Sequence, residues 1–201
     1  MDPAGPAAEA INTIWWVMLA GAMAIFLFVA ALLLLAFRRG EAGEASVRWW
    51  IIGGGLVFPG TVLTALLVYA LVTGEQLLPT DERSPLQVAA HSSQYEWIFT
   101  QPAAGGGAIR TRNVLHIPAG RPVDVALTTS DVIHSFWVPR LAGKLDAIPG
   151  HRNVLRIEAS EPGTYSGMCA EYCGIGHSGH VFRVIAHDAA GWVQFQSGEG
   201  A

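Results

Sequence analysis

The sequence predicts a two-helix membrane hairpin followed by a small all-β sandwich or barrel. Two long uncharged apolar runs predict the hairpin, at residues 10–37 and 49–74. A later series of short alternating runs, separated by Gly and Pro, predicts the β-domain. The apolar fraction of 51% is thus unevenly spread, concentrated at the front of the chain.

A helix rises about 1.5 Å per residue, and roughly 20 apolar residues cross a hydrocarbon core. Both runs are long enough, which predicts spans over 11–37 and 49–74. A buried pair of core helices is the alternative, but both runs exceed the usual core-helix length. The leader, residues 1–10, reads MDPAGPAAEA and has no basic residue. It lacks the basic start and short apolar core of a secretory signal, so the first span is expected to be retained. Arg38, Arg39 and Arg48 sit in the short connection at 38–48. Basic residues in short loops mark the cytoplasmic side, which places both ends of the chain outside. Trp15, Trp16, Trp49 and Trp50 fall near span ends, where indoles favour the interface. Pro59, inside the second span, predicts a kink and a hairpin that packs against a partner subunit.

From about Ser84 to 190 the runs LQVAA, QYEWIFT, NVLHIPA, VDVALTT, NVLRIEA and HVFRVIAH read as strands. PAAGGG, AGRP, DAIPGHR and SEPGTYSG read as turns. Residues 191–201 read as a tail, frayed over the last residues, QSGEGA. The chain carries a formal net charge of −4 with no block of like charge, which argues against a nucleic-acid partner.

The chemistry is concentrated in MCAEYCGIGHSGH, residues 168–180, which holds the only two cysteines. A disulfide is the first alternative, yet a bridge between Cys169 and Cys173 closes too small a loop to gain much stability. Glu171, His177 and His180 crowd the same segment, and thiolate with imidazole suits zinc, copper or iron–sulfur centres. Two Cys and two His fit zinc by count. A blue-copper site would have one cysteine too many. Two thiolates between two imidazoles also suit a sulfur-bridged copper pair, given another histidine from elsewhere. His134 in DVIHSFWVP is the candidate.

With these segments together, DVIHSFWVP, KLDAIPG and Cys-x-Glu-x-Cys-x3-His, the chain resembles subunit II of the haem–copper oxidases. The resemblance spans nearly the whole chain and implies a cupredoxin-like outer domain with a binuclear CuA copper centre. It implies that His134 and His177 each bind one copper and that Cys169 and Cys173 bridge both. It implies that Glu171 offers its carbonyl to copper and its side chain to a magnesium ion shared with subunit I. The family's last ligand is a methionine, and here that position is His180. Either its imidazole replaces the thioether and lowers the potential, or it turns away and begins the next strand; coordination is the expectation carried forward.

The family's electron-input run reads Gln-Trp-Tyr-Trp, against Gln94, Tyr95, Glu96 and Trp97 here. Tyr95 takes the input position, while Trp97 is either part of the input or core packing. Trp137 is a rival contact. Asp131, Lys144 and Asp146 match docking or subunit-interface positions, although Asp131 could equally cap its own turn. His91, His116, His151 and His187 read as ordinary surface or strand residues. The resemblance implies an electron-transfer subunit in a bacterial-type cell membrane. Its implied partners are subunit I, subunit III, membrane lipid, and cytochrome c or another small periplasmic donor. The catalytic subunit would reduce O2 to water and pump protons. Alternatives are the CuA subunit of a nitric oxide reductase, a membrane-anchored copper chaperone, and a quinol oxidase subunit, whose segments SGMCAEYCGIGHSGHVF and SEPGTY also resemble.

Overall fold

The computed structural model describes residues 2–38, 44–75 and 86–198. The chain divides into two compact units, Met1–Asn12 with Pro79–Ala201, and Thr13–Leu78.

In the hairpin, α1 runs Pro6–Arg38. Pro6 opens it, where the missing N–H costs nothing. Glu9 in the first turn and Arg38 in the last complement the helix dipole. The second helical stretch begins at Glu44, before the expected span. Helix α2 covers Glu44–Trp49, a π-helical segment covers Trp50–Val57, and α3 covers Phe58–Glu75. The π-helical stretch is the physical response to Pro59, whose ring has no N–H and collides with the carbonyl four residues back. The backbone widens just before it, and Phe58 N–H bonds the Gly53 carbonyl, five residues back. The hydroxyls of Thr61 and Thr64 donate to the carbonyls of Val57 and Gly60, both at 2.8 Å, leaving neither unpaired in hydrocarbon. The described helices from Pro6 to Arg38 and Val47 to Gly74 are long and apolar enough to cross a membrane. Of the connection at 38–48, residues 39–43 lie outside the described residues, as do 84 and 85 at the start of the β-domain.

The outer unit is a β-sandwich. One sheet has the order β3(Ala108–Arg112), β2(Glu96–Pro102), β1(Leu86–Ser93), β5(Val123–Thr129), β8(Asn153–Ile157). The other has the order β4(Val114–Pro118), β10(Val181–His187), β9(Gly163–Cys169), β6(His134–Trp137), β7(Leu145–Ala147). The β1–β5 and β4–β10 pairs are parallel and the rest antiparallel. Strand alternation fills the space between the sheets: Trp97 and Phe99 from β2 meet Phe136 from β6 and Phe182 from β10, all buried.

Six strands lie where the alternation predicts them, with ends shifted. Gln94 and Tyr95 form the turn between β1 and β2 rather than part of a strand. Strands β3, β6, β7 and β9 are additional. Strand β9 hides its period because Gly167 occupies an inward position between Tyr165 and Cys169. A Cβ at Gly167 would stand 2.3 Å from the Phe182 ring, so only glycine fits.

The expected tail at 191–201 is corrected. Helix α4 covers Ala189–Ser197, capped by Asp188, whose carboxylate accepts from Gly191 N–H at 2.8 Å, and ended by Gly198 at φ 85°. It buries Trp192 and Phe195, three residues apart on one face. The leader is bonded to the β-sandwich. Ala4 N–H donates to the Arg140 carbonyl at 2.7 Å, and Ser160 N–H to the Ala4 carbonyl at 2.8 Å. Arg140 pairs with Asp2 at 2.6 Å.

Beneath α4, His116 on β4 is buried and His187 on β10 is half-buried, and the two rings form a pair. Their Nδ1 and Nε2 lie 2.8 Å apart, and Phe195 stacks on His116 at 4.1 Å. Burial, then the neighbouring His187, lowers the His116 pKa from 6.5 to about 4. Burial also lowers His187, against the raising effect of Asp188. The folded state therefore disfavours protonation. Stability is complete above the ordinary pKa of about 6.5 and is lost as pH falls from there toward about 4. The melting temperature of the outer unit should drop between pH 7 and pH 5, and His116→Phe should flatten that slope. Equal slopes in the two proteins would show that this pair does not carry the effect.

Candidate metal centre

Two sheet neighbours and one loop assemble the site. Pairing of β6 with β9 sets Phe136 opposite Cys169, and Ala170 N–H donates to the Ser135 carbonyl at 2.9 Å. His134, at the start of β6, is thereby held beside Cys169, at the end of β9. The chain then loops through residues 170–179 and returns to β10, with Cys169 N–H bonding the His180 carbonyl at 2.9 Å. A turn at His177–Gly179 closes the loop.

The donor atoms converge. Cys169 Sγ lies 3.9 Å from Cys173 Sγ and 3.8 Å from His134 Nδ1. Cys173 Sγ lies 3.6 Å from both His177 Nδ1 and His180 Nδ1. The Glu171 carbonyl oxygen is 3.2 Å from Cys169 Sγ. The thiols are free and far beyond the roughly 2.05 Å of a disulfide. His134, Cys169, Cys173 and His180 are all buried, with donor atoms within 4.8 Å of one another. His177 is half-buried and flanks Cys173 from outside that group.

The electrostatics fit a cation. Burial, then the neighbouring Cys169, pushes the Cys173 thiol up to about 11. Two thiolates this close ionise together only when positive charge lies between them. Burial, then His134, lowers the His180 pKa, so its imidazole is neutral and free to donate a lone pair. Two soft sulfurs beside imidazoles form a donor set that suits copper or zinc.

Asp131 has a larger part than its sequence position suggested. Its Oδ1 accepts from His134 Nε2 at 2.8 Å, which leaves Nδ1 facing sulfur. Its Oδ2 accepts from Gln94 N–H at 2.7 Å, and Oδ1 from Val132 N–H at 2.7 Å. Burial alone would raise its pKa. The hydrogen bonds from His134, Gln94, Val132 and Thr129 outweigh that and hold the carboxyl at about 2. An aspartate three residues before a histidine was the available signal, since a short acidic side chain can reach across one turn. Gln94 Nε2 donates to the Cys173 carbonyl at 2.6 Å, a support that the sequence reading did not identify.

Tyr95 is exposed at the hairpin turn, its ring 6.2 Å from that of His180. The loop glycines make room for it: a Cβ at Gly174 would stand 2.5 Å from the Tyr95 hydroxyl, and one at Gly176 2.5 Å from its ring. Of the two readings of Trp97, input or core packing, its burial fits the second. Trp97 is fully buried, 6.4 Å from the His134 ring and 5.7 Å from the His180 ring, so no external protein can touch it. Lys144 Nζ pairs with the Glu171 carboxylate at 3.4 Å, while the Asp146 carbonyl accepts from Asn153 at 2.7 Å. Trp137 is half-buried on β6.

Residues 77–186 match the family described as cytochrome c oxidase subunit II, periplasmic domain. Cytochrome c oxidase subunit 2 of Alkalihalophilus pseudofirmus is 32% identical over 99% of this chain, which spans 62% of that relative's length. A protein named probable quinol oxidase subunit 2, from Staphylococcus aureus, is 34% identical over 81% of this chain and 45% of its own length. The crystal structure of the periplasmic domain of subunit II of cytochrome oxidase (CoxB) of Bradyrhizobium japonicum is similar at a TM-score of 0.50. It is 26% identical, over 62% of this chain and 99% of that one. With its sandwich, its paired thiols and its two candidate membrane helices, this chain belongs to the cytochrome c oxidase subunit II family.

Proposed function

We propose that this chain is the electron-accepting subunit of a membrane terminal oxidase and that its outer domain holds two copper ions. The observation that carries this reading is the pair of unbridged thiols 3.9 Å apart with imidazole nitrogens facing each of them. Cys169 and Cys173 would serve both ions. His134 and His180 would complete one, and His177 with the Glu171 carbonyl the other. Copper bound there supplies one-electron acceptance and release. The chain's own residues fix the donors, exclude water and present an accessible face.

Around the site, Tyr95, Val132, Ile133 and Tyr172 are exposed, and Ile175 is 98% exposed. The nearby acids are occupied: Asp131 by His134, Glu96 by Arg112, and Glu171 by Lys144. This apolar rim is the proposed docking face for cytochrome c or another small periplasmic donor, with Tyr95 at the input. Electrons would pass to the haem of subunit I, where O2 is reduced and protons are pumped, with subunit III in the same assembly. A magnesium ion shared with subunit I would draw the Glu171 carboxylate away from Lys144. The leader bonds to Arg140 and Ser160 of the outer domain, so both lie on one side, as a two-span hairpin requires. The basic connection would then put that side outside the cell membrane.

Quinol oxidation without copper is disfavoured by the retained thiols and imidazoles. Mixing the copper-loaded chain with a reduced small c-type cytochrome should oxidise the cytochrome and bleach the chain's visible absorption. Transfer no faster than to the metal-free chain would refute the reading. Asp131→Ala should weaken copper retention by about 10–100-fold, because His134 loses the carboxylate that orients it. Unaltered retention in a chelator competition would reduce Asp131 to a turn residue.

A further inference from the structure

The histidine at 180 alters more than one ligand of a copper pair. We infer that the buried quartet His134, Cys169, Cys173 and His180 is a self-sufficient tetrahedral site for a single zinc(II) ion, independent of His177.

The geometry carries the inference. Zinc–sulfur bonds of about 2.3 Å and zinc–nitrogen bonds of about 2.0–2.1 Å set tetrahedral edges of roughly 3.8 Å between sulfurs and 3.5 Å between sulfur and nitrogen. The sulfurs here are 3.9 Å apart, and the sulfur–nitrogen contacts are 3.8 Å from Cys169 to His134 and 3.6 Å from Cys173 to His180. Three of the six donor pairs thus match tetrahedral edges to within a few tenths of an ångström, and all four donors lie within 4.8 Å of one another, so drawing the two imidazoles inward completes the site. All four side chains are buried, as in a closed four-coordinate site. His134 also has the outer carboxylate common to zinc-bound histidines, Asp131 Oδ1 at 2.8 Å.

The residue at 180 decides the matter chemically. The methionine expected there offers a thioether, a weak donor to zinc, and leaves three strong ligands. His180 converts the set to Cys2His2, a composition that holds structural zinc. His177 lies beside only one of the sulfurs, on the half-buried side. The chain should therefore take up zinc one ion at a time, and zinc so held would occupy both thiolates until copper displaces it. Copper(II) exceeds zinc(II) in affinity for such donors, so copper displaces it at equilibrium.

This inference uses the same side chains as the copper reading but does not depend on it, and its test involves no copper or electron transfer. The metal-free, thiol-reduced full chain in detergent is titrated with zinc(II) against a chromophoric chelator, and in parallel with cobalt(II). Expected are one zinc per chain and a cobalt spectrum of intense tetrahedral d–d bands with thiolate charge transfer. His180→Met should weaken zinc by about a hundredfold. His177→Ala should leave the affinity within about twofold. Equal zinc affinity in His180→Met and the unaltered chain would overturn the inference. So would a loss in His177→Ala as large as that in His180→Met, weak six-coordinate cobalt bands, or no zinc uptake.

Discussion

Cys173→Ser is expected to dismantle the metal centre while leaving the fold in place. Cys173 Sγ is the hub of the site, 3.6 Å from two imidazoles and 3.9 Å from the other sulfur. Serine preserves the shape of the buried side chain, but its hydroxyl does not ionise near neutral pH and is a hard oxygen where a soft bridging thiolate is needed. His177 and His180 then lose the donor they share. Copper should fall from two ions to at most one per chain, and the visible thiolate-to-copper absorption should vanish. Electron acceptance should drop by at least about a hundredfold, the loss of more than 2.7 kcal/mol of barrier lowering. The melting temperature of the metal-free protein should move by only a few degrees, since the substitution is nearly isosteric. Copper analysis with absorption spectroscopy checks the first result and calorimetry the second. Two retained coppers with an unchanged spectrum would remove Cys173 from the site.

The second large effect is expected at His180. This imidazole is fully buried, faces Cys173 at 3.6 Å, and packs at 5.7 Å against the Trp97 ring. Imidazole is a harder donor than a thioether and favours oxidised copper. His180→Met should therefore raise the reduction potential. Each tenfold change in relative affinity for the two oxidation states is worth about 59 mV for one electron, so a shift on the order of 60 mV or more is expected. Methionine is flexible enough to fill the vacated space, so the stability loss should stay near about 1 kcal/mol. The spin-resonance and optical spectra should shift with the potential. A redox titration that returns the original potential would place His180 outside the coordination sphere.

The sequence was most legible where chemistry and period coincide. Residues 10–37 and 49–74 read as spans by their length and lack of charge, and the Cys169 to His180 loop drew a metal reading by its composition. Strands β2 and β5 were readable because EWIFTQP alternates and VDVALTT is rich in β-branched residues. Strand β9 was not, because Gly167 replaces an apolar residue to admit the Phe182 ring. Strand β3, AIRTR, lies at a sheet edge and has no apolar face to show. Helix α4 is short, and Trp192 and Phe195 are its only buried anchors. Trp97 could be read as input or as core, and the alternation of aromatic residues around it pointed to the core, where the sandwich buries it. Asp131 illustrates a further limit. Its local spacing allowed a turn cap and a docking acid, and only the fold shows one carboxylate joining His134 to the Gln94 backbone.

The central claim is that this chain binds copper as a thiolate-bridged pair. Metal analysis of the copper-loaded full chain, combined with electron spin resonance of the same sample, tests it most directly. The account predicts two coppers per chain and a mixed-valence signal in which one unpaired electron is shared by both. One copper per chain with a signal localised on a single copper(II) would contradict it.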